Sequence, residues 1–478
     1  MIAGLASLGA TRAAAAPPET SLRPILRGDD LFKRFVPSVE DILSEANLSG
    51  DVAFAVADAN TGRIIEAHQP LLPLPPASTA KALTTLWALE RLGPTHRFTT
   101  RLLATGPVVD GRIDGDLVLA GGGDPTLDTD ALMEMASALK DMGVREVAGN
   151  LKVWSGALPD LHEIDREQPD HVGYNPAVSG LNLNFNRVHF GWSRKGGSYD
   201  VTMDARSANA VPPVQMARMQ VVDRSSPIYT YARSDAYDEW TVARGALGNA
   251  GARWLPVRDP AHYAGEVFQT LLRSHGIIAA GSIETAESDE GETLHSRTSD
   301  PLPDLLRDMM TYSTNLTAEV MGLSASSTLG PVDSLAESAD RMNGWLRETY
   351  GMRAVDLEDH SGLGDDSRVT ATDMVRAMVG AGPDGALRAL MKPFALDGDD
   401  FTVDAKTGTL NFVSALTGYV SGPAGGPLAF SIMCGDIPRR DALTVAQREK
   451  PEGGSWWNGR AKIMQRALID RWGKLYLT

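Results

Sequence analysis

Apolar and polar positions recur with different periods along the chain, and the changes of period mark its organisation. Val39 to Leu48 has the amphipathic pattern of a short helix with Ser38 as its cap. Val52 to Ala59 reads as a strand, Asn60-Thr61-Gly62 as a turn and Arg63 to His68 as the hairpin partner. A Pro-rich loop, LLPLPPA, leads to Ser78, where strong helix formers begin; Leu83, Leu86, Trp87 and Leu89 supply apolar positions until Gly93-Pro94 stops the helix. Ser78 is thus expected at a helix N-terminus.

From about residue 97 the texture changes to short strands with frequent Gly and Pro (FTTRLLATG, GDLVLAGGGDP, VREVAGNLKVW), broken by one helix from Thr129 to Met142. A stretch rich in Asn, Gly and Ser (YNPAVSGLNLNFNRV) and further short strands extend to Leu255, as in a large insertion. Helical periodicity returns at Ala261 to His275 and Leu302 to Met310, and Tyr312-Ser313-Thr314-Asn315 interrupts it before a helix to about Ser324. Strands Val403 to Leu410, Ala415 to Ser421 and Leu428 to Cys434 precede a closing helix from Trp457 to Trp472. These three strands can share a sheet with the N-terminal hairpin, which brings both chain ends into one domain.

Composition narrows the classes of function. The 478 residues carry 45 basic and 61 acidic side chains, a formal charge of −16, which argues against nucleic acid as the main partner. Hydrophobic residues make up 43% of the chain, as in an ordinary folded protein, and the length predicts two or three domains. Cys434 is the single cysteine, which excludes an intramolecular disulfide and a cysteine-based metal cage; it lies in an apolar strand as a small core residue. The nine histidines form no His-Glu-x-x-His, so neither metal nor other cofactor is expected. Residues 1–28 look like a secretory leader, apolar and small before Pro17-Pro18 but lacking a basic start, and no later segment has the ~20 apolar residues of a membrane span.

Three short motifs carry chemistry. Ser78-Thr79-Ala80-Lys81 is a Ser-x-x-Lys whose spacing puts hydroxyl and amine on one helical face, within reach of proton transfer. Ser313-x-Asn315 falls at the helix interruption, and Lys406-Thr407-Gly408 opens a strand whose glycine lets a peptide backbone approach. Each motif alone is weak: Ser137-Ala138-Leu139-Lys140 and Ser207-Ala208-Asn209 match by chance, the first on a solvated helix face and the second in a loop. Together, in order and in context, they form the signature of penicillin-binding proteins and serine β-lactamases. Gly121-Gly122-Gly123-Asp124 fits no phosphate-loop pattern and reads as a tight turn; Asp359 and His360 do not make a triad, because Lys81 already supplies a base; Glu146-x-x-x-Asn150 sits too far along the insertion to serve as a deacylating pair.

With these residues the chain resembles the class C low-molecular-mass penicillin-binding proteins, the D-alanyl-D-alanine carboxypeptidase/endopeptidase family of peptidase S13 type. The matching stretches are PASTAKALTTLWALERLG, GDLVLAGGGDPTL, YNPAVSGLNLNFN, YSTNLTAEVMG, DHSGLGDDSRVT and KTGTLNFVSALTGYVSG. The resemblance implies an α/β (α+β) fold: a transpeptidase or serine β-lactamase-like domain, an antiparallel sheet flanked by helices, made from residues 29–96 and 297–478. Residues 97–296 would be an insertion, with an outer domain (97–122 and 201–296) and an inner nested one (123–200). It further implies a serine-type D-Ala-D-Ala carboxypeptidase or D-alanyl endopeptidase of peptidoglycan, exported to the periplasm or beyond, with stem peptides as substrates and β-lactam antibiotics as inhibitors. Ser78 would be the acylated nucleophile, Lys81 its base, Ser313 a proton relay to the leaving amine, Asn315 a holder of the substrate amide and Lys406 an electrostatic anchor. Thr407, Gly408, Thr409 and Ser361 would contact the substrate, and the Ser78 and Thr409 N–H groups would form the oxyanion hole. The family commonly continues Ser-Gly-Leu with Ser-Arg, its arginine a ligand for a side-chain carboxylate; here Gly364-Asp365 stands instead, with Asp365 expected to be a solvated loop carboxylate. A β-lactamase or esterase on the same frame, and a non-catalytic wall-binding protein, are the alternative readings.

Overall fold

The computed structural model describes residues 36–234, 237–396 and 401–478. The leader-like segment expected at 1–28 lies outside the described residues. Ser38 caps α1 (Val39–Ala46): its hydroxyl accepts from the Asp41 N–H while the Asp41 carboxylate accepts from the Ser38 N–H. The hairpin of β1 (Asp51–Asp58) and β2 (Ile64–His68) follows. A single 3-10 turn, Ala77–Thr79, then runs into α2 (Ala80–Leu92), so Ser78 stands in the turn just ahead of the helix.

The inserted region opens with β3 (Thr99–Ala104), β4 (Leu117–Ala120), α3 (Thr129–Asp141) and β5 (Leu151–Trp154). It continues through β6 (Arg187–Lys195), β7 (Ser198–Asp204), β8 (Ala217–Val222), β9 (Tyr229–Arg233), β10 (Asp238–Ala243) and β11 (Ala250–Pro256). Then come α4 (Pro260–Ser274), β12 (Ile283–Thr285) and β13 (Glu292–Thr298). The last third holds α5 (Leu302–Tyr312), α6 (Asn315–Ser327), α7 (Leu335–Tyr350), α8 (Ala371–Ala381), β14 (Lys392–Pro393), β15 (Thr402–Leu410), β16 (Val413–Ser421), β17 (Leu428–Gly435) and α9 (Gly454–Tyr476).

One six-stranded antiparallel sheet, in the order β14-β15-β16-β17-β1-β2, positions the site. Its strand β17 pairs with β16 on one side and β1 on the other, so the two ends of the chain complete a single sheet. Every residue of β17 is buried, because helices cover both faces. On one face Ala429 and Met433 join Ala53, Ala415 and Tyr419 against the helices α2 and α5 to α8. On the other, Phe430, Ile432 and Cys434 meet Trp457, Leu468 and Trp472 of α9 and Ile42 of α1. Burial pushes the Cys434 thiol up to about 12, which leaves it an unreactive core residue.

The insertion contains a five-stranded sheet, β12-β5-β4-β3-β13, and two three-stranded sheets, β7-β6-β11 and β8-β10-β9, over one contiguous apolar core. Its strand pairing corrects the expected inner segment 123–200. Within that segment β5 pairs in parallel with β4 before it, and β6 pairs with β11 beyond it. The chain leaves the five-stranded sheet after β5 and returns to it at β12, so the excursion is longer and later than expected. Periodicity marks a strand but not its partner, and here the partners are distant.

Candidate active site

The turn that carries Ser78 is held in an unusual backbone shape. Ala77 has φ +47°, and Gly362, packed beneath it, has φ +72° with no room for a side chain: a Cβ there would lie 2.0 Å from the Ala77 carbonyl oxygen. From this turn Ser78 presents its hydroxyl to Lys81, whose Nζ lies 3.0 Å from the Ser78 Oγ. Lys81 is fully buried, and its Nζ also donates to the Asn315 Oδ1 and the Ser361 carbonyl, both at 2.8 Å. The orientation of the Asn315 amide is fixed by its Nδ2, which donates to the Tyr174 carbonyl at 2.9 Å. A neutral amine has two hydrogens and one lone pair. With two obligate acceptors taking the hydrogens, the lone pair faces the Ser78 hydroxyl. Burial draws the Lys81 ammonium down to about 8, against the opposing pull of Glu319 and Asp359, so the neutral form is accessible near neutral pH.

The break between α5 and α6 delivers the second motif. Ser313 caps α5 in a left-handed conformation, φ +59°, and Asn315 begins α6, which turns both side chains into the same cleft. The third motif lies on β15, where β14 pairs only as far as Ala405 and leaves the edge from Lys406 onward open. Gly408 lets this edge approach the turn that carries Ser78, for a Cβ there would stand 2.7 Å from the Pro76 carbonyl oxygen and 3.0 Å from the Ser78 nitrogen. Lys406 is buried and donates to the Ser313 Oγ at 2.9 Å and to the Thr407 carbonyl at 2.8 Å; burial and the neighbouring Lys81 hold its ammonium well below the usual lysine range. Thr407 and Thr409 are exposed on this edge, and Thr409 lines the cleft.

Behind Lys81 lies a layer of buried carboxylates that the motifs do not announce. Glu319, fully buried on α6, accepts from the Ser361 N–H at 2.9 Å and the His360 N–H at 3.0 Å, and so anchors the backbone just before the Ser361 carbonyl that meets Lys81. Asp359 accepts from the Gly362 and Gly364 N–H groups at 2.6 and 2.7 Å. Burial raises both carboxyls, Glu319 to about 8. Ser361, expected to contact substrate, is fully buried; it reaches the site through its carbonyl, while its hydroxyl accepts from the Leu363 N–H. His360 is also buried and meets the Ser338 hydroxyl at 2.7 Å, not Ser78, so no triad forms. Its ring lies on Gly322 of α6, where a Cβ would come within 2.0 Å of it. Asn315, Glu319 and Gly322 follow the i, i+4, i+7 spacing of one helical face. That spacing was the available signal for Glu319.

The cleft over these groups has a volume of about 320 Å³ and is lined by Ser78, Ser313, Asn315, Thr409, Tyr174 and Gln168 among others. Its far wall overturns the solvated reading of Asp365. That carboxylate is largely buried between Arg440 and Arg448, with the Arg448 contact at 2.6 Å, and the two guanidinium groups hold it below the usual carboxylate range. Arg448 also pairs with Glu167 at 2.6 Å, and Glu449 pairs with His171 at 2.7 Å and Arg253 at 2.8 Å. These contacts tie the insertion to the rim of the cleft. Gly121, in the glycine run set aside as a turn, packs against the Gly180 carbonyl, away from the cleft.

The arrangement can activate a serine by a neutral lysine, donate a proton through a lysine-linked second serine, and bind an extended chain along an open strand edge. A family model described as the D-Ala-D-Ala carboxypeptidase 3 (S13) family matches residues 36–449. The chain is 29% identical to a D-alanyl-D-alanine carboxypeptidase of Actinomadura sp. (strain R39), over 88% of this chain and 86% of that one. It is 24% identical to the D-alanyl-D-alanine carboxypeptidase DacB of Haemophilus influenzae, over 82% and 87% respectively. Among solved structures it is similar to penicillin binding protein 4 (dacB) from Haemophilus influenzae, with a TM-score of 0.72 at 21% identity, covering 90% of this chain and 99% of that one. The same protein complexed with a novel β-lactam matches with a TM-score of 0.70 at 20% identity, covering 92% and 99%.

Proposed function

The chain belongs to the D-Ala-D-Ala carboxypeptidase 3 (S13) family, and from that premise we propose that it hydrolyses the terminal D-Ala-D-Ala bond of peptidoglycan stem peptides through an ester on Ser78. The single observation that carries the mechanism is the saturation of Lys81 by two obligate acceptors, which aims its lone pair at the Ser78 Oγ.

The Ser78 Oγ attacks the carbonyl carbon of the penultimate D-alanine as Lys81 takes its proton. The Ser78 and Thr409 N–H groups stabilise the oxyanion, and Thr407 and Thr409 receive the terminal carboxylate, whose negative charge favours the protonated form of the nearby Lys406. The Ser313 hydroxyl protonates the leaving amine and is resupplied with the proton that Lys81 took from Ser78, while Lys406, hydrogen-bonded to it, holds the hydroxyl in place. Asn315 keeps its second Nδ2 hydrogen for the substrate amide, since only one is used on Tyr174. Neutral Lys81 then takes a proton from the attacking water and returns it to the Ser78 Oγ as the ester breaks. The substrate class supports a location outside the cytoplasmic membrane, and among the described residues no helix is long and apolar enough to cross one.

A β-lactam presents an amide in the same setting and acylates the same serine; the β-lactam complex of the similar Haemophilus influenzae protein supports this. Intact mass after mixing with a penicillin, alongside Ser78→Ala, tests the reading together with D-alanine release from a pentapeptide. A lasting one-penicillin adduct absent in the variant, with D-alanine released by the wild type, is expected. Rapid consumption of the drug without an adduct would mean a β-lactamase, and an intact drug with no adduct would mean a binding protein.

A further inference from the structure

A second groove of about 150 Å³ adjoins the catalytic cleft, and Tyr174, Ser313 and Asn315 line both. Its other walls are Pro176, Phe185 and Tyr312, with Arg187 at the start of β6. The Arg187 guanidinium lies over the rings of Phe185, at 5.2 Å, and Trp254, at 5.8 Å. Gly173 leaves room for its stem: a Cβ there would be 3.4 Å from the Arg187 Cδ and 2.9 Å from the Trp254 carbonyl oxygen. Among the described residues no carboxylate pairs with Arg187, and its buried Nε has no hydrogen-bond partner; burial alone acts on it and lowers it from the usual arginine range. The arginines around the main cleft differ, for Arg440 and Arg448 share Asp365 and Arg253 has Glu449. In a chain of net charge −16, a half-buried cation left without a counter-charge beside an active site is built to meet an anion.

We infer that this groove binds the second strand of a cross-linked stem-peptide pair, with Arg187 receiving a carboxylate of that strand; the inference rests on the peptidase reading above. A cross-linked substrate has two peptides joined at the scissile bond, and the main cleft accommodates the one whose carbonyl is attacked. The other leaves past Ser313, the group set to protonate the departing amine, and Ser313 opens onto this groove. Its apolar parts lie along Pro176, Phe185 and the exposed Tyr312 ring. A single uncross-linked pentapeptide has no second strand and does not need the groove, so Arg187 separates endopeptidase from carboxypeptidase activity.

The test compares wild type, Arg187→Met and Arg187→Lys on a purified cross-linked muropeptide dimer, an uncross-linked pentapeptide and a fluorescent penicillin. Methionine fills the space over the rings without charge, and lysine restores charge. The expected result is a KM for the dimer raised about tenfold or more in Arg187→Met, in line with loss of a charge-assisted hydrogen bond, and partly restored in Arg187→Lys. D-Alanine release from the pentapeptide and penicillin acylation stay within about twofold of wild type. An unchanged KM for the dimer, or a wild type that processes the pentapeptide but not the dimer, overturns the subsite alone. Parallel loss on all three in Arg187→Met makes Arg187 a packing residue and also overturns it. A wild type inert toward pentapeptide and penicillin overturns the peptidase reading first, and this one with it.

Discussion

Replacing Glu319 by Gln changes the charge behind Lys81 while keeping the shape, and the structure specifies both consequences. Lys81 acts as a base only when neutral, and burial has brought it to about 8 while Glu319 and Asp359 pull the other way. In the wild type, acylation is therefore expected to rise about tenfold from pH 7 to pH 9 as the amine deprotonates. Glu319 is itself raised to about 8, so its charge develops over the same pH range as the Lys81 deprotonation and opposes it; removing that charge moves the midpoint of the rise toward acid. The second consequence is geometric. Glu319 accepts two N–H groups, from His360 and Ser361. A glutamine can accept only one and turns its NH₂ toward the other, leaving a buried donor unsatisfied at a cost of about 1–3 kcal/mol of stability, which lowers the denaturation midpoint. The assay is the second-order rate constant for acylation by a fluorescent penicillin, measured by stopped flow from about pH 5.5 to 10 in both proteins. A midpoint that stays put or moves toward alkali, whatever happens to the plateau, refutes the placement of Glu319 as the charge that holds Lys81 protonated.

Two further expectations concern the same layer. Gly322→Ala puts a methyl group within 2.0 Å of the His360 ring; overpacking of this kind costs about 1–3 kcal/mol, and a lower denaturation midpoint together with slowed acylation is expected, whereas wild-type values in both would contradict the packing described. Burial holds the folded His360 down to about 3, so it is neutral in the native state, while the unfolded chain binds the proton near the ordinary pKa of about 6.5. Its contribution to stability is complete above about pH 6.5 and declines as pH falls, by up to about 1.4 kcal/mol per unit; urea denaturation at pH 7 and pH 5 should show a larger loss in the wild type than in His360→Asn, and equal losses would count against it.

Much of the site could be read before folding because its parts are local. Ser78 and Lys81 share one turn of helix, Ser313 and Asn315 flank one helix break, and Lys406 to Thr409 occupy one strand edge, so motif and element agree within a few residues. Strands such as β15 to β17 declared themselves through apolar runs bounded by turns. What escaped was set by distant partners. Glu319 looks like any acidic residue on a helix until Lys81 and the 359–364 loop close over it. Asp365 looks solvated until Arg440 and Arg448, 75 and 83 residues further on, arrive beside it. Ser361 sits in a recognisable tripeptide, yet the left-handed Gly362 turns the chain so that its hydroxyl faces inward. The pairing of β6 with β11 escaped for the same reason, since it spans the loops between them.

The split of the main sheet between the two chain ends also dictates when Ser78 and Lys81 can reach their folded arrangement. Ser78 and Lys81 are synthesised early, but the Ser361 carbonyl that takes one of the Lys81 hydrogens lies 280 residues later. At about 5–20 residues per second, that interval is on the order of tens of seconds. Throughout it the lysine has no buried site to depress its basicity and no acceptors to aim its lone pair, so the nascent serine is an ordinary hydroxyl. Completion of the Ser78-Lys81 arrangement is thus postponed until the segment carrying Ser361 has been made, a delay written into the order of the segments.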